Sequence, residues 1–200
     1  MFVHKHQLAY LLSPKDYCSE EHRQAEVERM FLPAWHLGAT KSELPHHGDR
    51  LSVDLFGHLV EIRNYDGQYL AHQILTPDEV GSQAPKTVLC RAEARGDLIF
   101  VALSEEAPPL RDFLDPIGDT ISSHFQTPEW QLTDIWEYDC PSNWKVPAEN
   151  TLESYHIPHV HQKTFGGIYP SEKATEHVLD FRYTMMEYDT GEDPRLDVWQ

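Results

Sequence analysis

The sequence predicts an α+β fold in which a small antiparallel β unit lies between two helical stretches. Three observations carry this. Residues 19–32 show helical periodicity between a serine and a proline. Residues 48–104 break into short alternating strands joined by glycine-bearing turns. Pro108-Pro109 then interrupts the pattern ahead of a histidine-rich stretch.

The first helix is expected over Ser19–Leu32 (SEEHRQAEVERMFL). Ser19 can accept a bond from a free backbone N–H, Glu20 and Glu21 suit the positive helix end, and Pro33 stops it. Val27, Met30 and Phe31, at i, i+3 and i+4, are expected to face the core. In the β unit, Leu51, Val53 and Leu55 alternate with polar residues, and His58–Arg63 forms the next strand. Asp66-Gly67 is a hairpin signal and Gln68–Ala71 the returning strand. Gly81–Pro85 marks a loop before Val88–Ala94 and Leu98–Leu103, which turn at Gly96-Asp97. Further on, Leu132–Tyr138 reads as a strand, Asn143–His156 as a helix ended by Pro158, and Val178–Tyr188 as one strand. Trp130, Trp136, Tyr138, Trp144 and Tyr155 are expected in the core.

Composition narrows the function. With 16 Lys+Arg against 33 Asp+Glu, the net charge of −17 repels phosphate backbones and anionic lipid, so no nucleic-acid or membrane partner is expected. No run reaches the roughly 18 apolar residues of a membrane helix. Cys18, Cys90 and Cys140 are odd in number and far apart, which fits a reducing cytoplasm better than a disulfide framework.

Chemistry concentrates in Asn143–Phe165 (NWKVPAENTLESYHIPHVHQKTF), where His156, His159 and His161 follow Asn150 and Glu153. Two imidazoles and a carboxylate hold ferrous iron on one face and leave positions open for O2 and substrate. Glu153 and His156 stand at i, i+3. An H-x-x-x-x-H pair cannot share a face of an unbroken helix, so a break is required, and Pro158 supplies one.

The pattern N-W-K-x-x-x-E-N-x-x-E-x-Y-H-x-x-x-x-H, read here at Asn143-Trp144-Lys145, Glu149-Asn150, Glu153, Tyr155-His156 and His161, resembles the mononuclear-iron signature of the catalytic α subunits of Rieske non-haem iron oxygenases. Glu26–Trp35, Val60–Arg63 with Asp66-Gly67, and Gly96–Leu103 with Ala107–Leu110 are similar to that family's N-terminal helix, first hairpin and exit from the Rieske domain. The resemblance implies that His156 and His161 are iron ligands, that Glu153 orients a ligand histidine or relays a proton, and that Asn150 lines the site. His159 then points away from the metal. It implies mononuclear Fe(II) as cofactor, a small organic substrate and O2, a reductase or ferredoxin as electron donor, and homo- or hetero-oligomers of α subunits. Three regions follow: a helical segment over 1–47, a Rieske-like β domain over 48–108, and the first part of a helix-grip catalytic domain over 109–200.

Two departures from the family qualify the implied activity. A [2Fe–2S] Rieske centre, expected in the family, takes two cysteines and two histidines. The interval that would carry them, Gln73–Lys86, contains neither, so no cluster is expected in this chain. The family's third iron ligand is a downstream aspartate, and Asp180, Asp189, Asp193 and Asp197 do not match its position. The sequence therefore leaves three readings: an iron oxygenase with impaired turnover, a non-catalytic α-subunit relative acting as a partner, or a ligand-binding module.

Overall fold

The computed structural model describes residues 12–81, 84–124, 136, 138–152, 156–161, 163, 175–179 and 184–188. The chain divides into two compact units, Met1–Tyr138 and Asp139–Gln200.

The first unit contains two short helices, α1 (Pro14–Cys18) and α2 (Glu20–Glu26). Ser13 and Asp16 form a capping box on α1, and the Ser19 hydroxyl accepts from the His22 N–H at 3.3 Å, as expected of a cap. A π-helical turn, Val27–Phe31, continues α2 and closes with the Leu32 N–H donating to the Val27 carbonyl. This wider turn breaks the 3.6-residue spacing. Val27 is buried, whereas Met30 is half exposed, so Met30 is not part of the expected apolar face.

Six strands follow: β1 (Trp35–Thr40), β2 (Arg50–Leu55), β3 (His58–Tyr65), β4 (Gln68–Leu75), β5 (Lys86–Arg95) and β6 (Leu98–Ala102). They form one antiparallel sheet in the order β1-β6-β5-β4-β3-β2. The strands expected over residues 48–104 are all present. β1 is an addition: it lies within the segment read as helical, and its strand character is hidden by a bulge between Leu37 and Ala39 that interrupts the two-residue alternation.

The sheet curls around its own core. Ala39 of β1, Leu55 of β2, Val60 and Ile62 of β3, Ala71 of β4, Cys90 of β5 and Ile99 and Val101 of β6 share one buried cluster with Leu44. Each fully buried Val, Leu or Ile contributes about 1.5–3 kcal/mol. Gly38 permits the closure, because a Cβ there would meet Ile62 Cδ1 at 2.6 Å. The other face of β1 and β6 is covered by Ala107 and by α4 (Leu110–Leu114): Trp35, Leu98, Phe100, Ala102, Leu110 and Leu114 pack together. Helix α5 (Gly118–His124) is tied to β5 by Arg95, which donates to the Ser122 hydroxyl and pairs with Asp119. The residues just after Pro108-Pro109 thus pack within the first unit.

Two hairpins share one construction. Phe56-Gly57 joins β2 to β3 and Asp66-Gly67 joins β3 to β4, with all four residues at positive φ, as a two-residue type I′ turn requires. In each, a side-chain oxygen two residues before the turn, on Asp54 or Asn64, accepts from the glycine N–H.

In the second unit are α6 (Lys145–Thr151), the one-turn helix α7 (Ile157–Val160), and an antiparallel pair, β7 (Thr175–Leu179) and β8 (Thr184–Tyr188). The single strand expected over Val178–Tyr188 is therefore the inner part of a pair in which Leu179 faces Thr184. Most of the strand expected over Leu132–Tyr138, together with Trp130 and Tyr155, lies outside the described residues. Trp136 and Tyr138, expected in the core, are 89% and 88% exposed and belong to no strand. Among the described residues no helix is long and apolar enough to cross a membrane.

Candidate metal centre

Helix α6 begins later than expected, at Lys145, with Trp144 as its N-cap residue and Asn143 bonded to its first turn. The Asn143 Oδ1 accepts from the Lys145 N–H at 3.1 Å and the Asn143 carbonyl from the Val146 N–H at 3.0 Å. Pro147 falls in the first turn, where its missing N–H has no partner to lose. The Thr151 hydroxyl donates to the Pro147 carbonyl at 2.8 Å. The next described residue after Leu152 is His156.

Lys145 is buried, with its ammonium 5.1 Å from the Trp144 ring centre, a cation–π distance. Trp144 itself is 40% exposed, so it is not the core aromatic that was expected. Asn150 is exposed on α6. Glu153 lies outside the described residues, as do Asp180, Asp189, Asp193 and Asp197.

His156 and His161 flank α7. The His156 carbonyl accepts from both the His159 and Val160 N–H groups, at 3.0 and 2.7 Å, and the His161 N–H donates to the Ile157 carbonyl at 2.9 Å. Pro158 stands in the first turn of α7, so it initiates this turn where it was expected to end a longer helix. His161, at φ −104° and ψ 27°, has already left helical geometry. On a continuous helix, residues five apart point about 140° from each other. Here the two rings approach to 5.4 Å between centroids at an interplanar angle of 69°. His159 between them is exposed.

That separation is close to the one a shared metal ion sets. A metal–imidazole bond of about 2.1 Å puts the ring centre roughly 3.2 Å from the ion, so two such rings lie about 4.5 Å apart at a right angle and about 5.2 Å apart at a tetrahedral one. The observed distance sits just beyond this range, within reach of a small side-chain rotation. Among the described residues no third His, Cys, Asp or Glu joins the pair.

A family model for the ring hydroxylating alpha subunit (catalytic domain) matches residues 128–196, a span that contains both histidines. Chloroplastic choline monooxygenase of Atriplex hortensis is 28% identical over 95 residues, covering 45% of this chain and 20% of that protein. Among solved structures, the quaternary ammonium Rieske monooxygenase CntA with an inhibitor superposes with a TM-score of 0.73 at 18% identity, covering 86% of this chain and 60% of that one. Naphthalene 1,2-dioxygenase from Rhodococcus sp. bound to indole gives 0.61 at 17% identity, covering 86% and 52%. Residues 128–196 are thus similar to that catalytic domain, and the solved structures share the chain's fold. The chain spans less than two thirds of the length of each of these proteins.

Proposed function

We propose that this chain carries the mononuclear iron half-site of a Rieske-type oxygenase, with His156 and His161 as the protein's ligands to Fe(II). The observation that carries the reading is the 5.4 Å approach of two rings five residues apart, inside the segment matched by the catalytic-domain family. When bound, ferrous iron supplies activation of O2 for hydroxylation of a small organic substrate. The chain's own residues do the rest. The α7 turn fixes the spacing of the two imidazoles, and water or an added carboxylate completes the ligand set, at lower affinity than a built-in aspartate.

In the same reading, Glu153 orients one ligand histidine or moves a proton near it, and Asn150 is a polar group at the edge of the site. The relatives' names point to quaternary amines and to aromatic rings, and both classes fit a small organic substrate. A reductase or ferredoxin as electron donor and an assembly of α subunits follow from the same kinship. Turnover by this chain alone is expected to be weak.

Anaerobic equilibrium dialysis against Fe(II) tests the assignment on the full chain beside His156→Ala and His161→Ala. The expected result is one bound iron that either substitution removes. Unchanged iron binding in both variants would overturn it.

A further inference from the structure

The family resemblance implies a second metal group, and the residues that would hold it do not fit it. A Rieske centre needs two thiolates and two imidazoles converging on one pair of irons. In this sheet Leu75, the last residue of β4, pairs with Lys86, the first of β5, so the connection is residues 76–85 alone. Within it, residues 76–81 are bonded to one another. It holds the short helix α3 (Pro77–Val80), in which the Thr76 N–H and hydroxyl both donate to the Glu79 carboxylate, at 2.6 and 2.7 Å. Gly81, at φ 59°, ends the helix in the left-handed conformation. Its sequence, TPDEVGSQAP, has no thiol and no imidazole.

The thiol nearest in sequence faces the wrong way. Cys90 is buried in the sheet's core cluster opposite Ala71, where burial pushes its thiol above the usual range and so favours the protonated form over the thiolate a cluster requires. His72, adjacent to Ala71, lies by strand alternation on the opposite face from Cys90. The His58 Nδ1 is within 2.8 Å of the Gln73 amide. Cys18 and Cys140 are exposed, one at the end of α1 and the other in the second compact unit.

We infer that this sheet is a Rieske-like frame built without an iron–sulfur centre, its β4–β5 connection shortened to a self-capped turn. The inference takes from the proposed function only the identity of the expected group. It stands or falls independently of iron at His156 and His161.

The test reconstitutes the full chain anaerobically with Fe(II) and sulfide, removes unbound ions, and measures acid-labile sulfide and the electron paramagnetic resonance spectrum after dithionite reduction. The exposed-cysteine variant Cys18→Ser/Cys140→Ser and the core variant Cys90→Ala are treated alike. The expected result is no reduced-cluster signal in any of them and no sulfide retained by the parent beyond that of the variants. A reduced-cluster signal in the parent overturns the inference by itself, whether or not a variant folds. The nitric oxide adduct of mononuclear Fe(II), read in the same samples, reports separately on the histidine pair.

Discussion

The side-chain amide of Asn64, buried near the end of β3, donates to the Leu44 carbonyl at 2.6 Å. Its Oδ1 accepts from the Gly67 N–H at 2.7 Å, and its backbone bonds to Gly48 and Asp49. One residue therefore ties the β3–β4 hairpin to the loop that leads into β2. Asn64→Ala leaves a carbonyl and an N–H without partners, at a cost of about 2–4 kcal/mol. A urea melt should show a lower midpoint with an unchanged slope. A loss below about 0.5 kcal/mol would show that water replaces both bonds.

Gly38 tests the curvature of the sheet. An added Cβ meets Ile62 Cδ1 at 2.6 Å and Val101 Cγ2 at 3.2 Å, and both neighbours are fully buried. Gly38→Ala should destabilise the chain by about 1–3 kcal/mol, and Gly38→Ala combined with Ile62→Val should recover part of that loss. Equal melting temperatures for Gly38→Ala and the parent would mean that β1 lies farther from β3.

Much of this frame can be read in the sequence, and the exceptions have local causes. Asp66-Gly67 announces its turn because both residue types tolerate positive φ. Phe56-Gly57 makes the same turn with a phenylalanine at φ 56°, which its residue type does not announce. There Phe56 stacks on Phe31 at 4.8 Å, a long-range contact that no local pattern encodes. The β1 bulge and the π turn each disturb a period, and the expectations failed at those two places. At the candidate centre the histidine spacing was legible. The role of Pro158 was not, because a proline after a helical run can end one helix or begin the next.

Glu79 gives the β4–β5 connection a pH dependence. Hydrogen bonds from the Thr76 hydroxyl and N–H hold its carboxyl below the usual range. A lowered folded-state pKa means the contribution is present in full above the ordinary carboxylate pKa. It is lost as pH falls through the lowered one. Thr76→Ala should move the Glu79 titration, followed by NMR, back up toward the ordinary value. No movement would separate the carboxylate from its cap.

The cysteines should divide by reactivity. Cys18 and Cys140 are exposed and Cys90 is buried. A thiol reagent should label the first two in the native chain and Cys90 only on unfolding. Rapid labelling of all three under native conditions would contradict the closed core of the sheet.

In the proposed centre, two imidazoles either side of a single helical turn share one ion. Zinc, a diamagnetic stand-in that takes imidazole nitrogen, allows this to be followed by histidine-ring NMR. Titration should shift the His156 and His161 resonances together, complete at one equivalent, while His159 stays in place. Independent shifts of the two rings, or movement of His159 with either, would contradict a shared site.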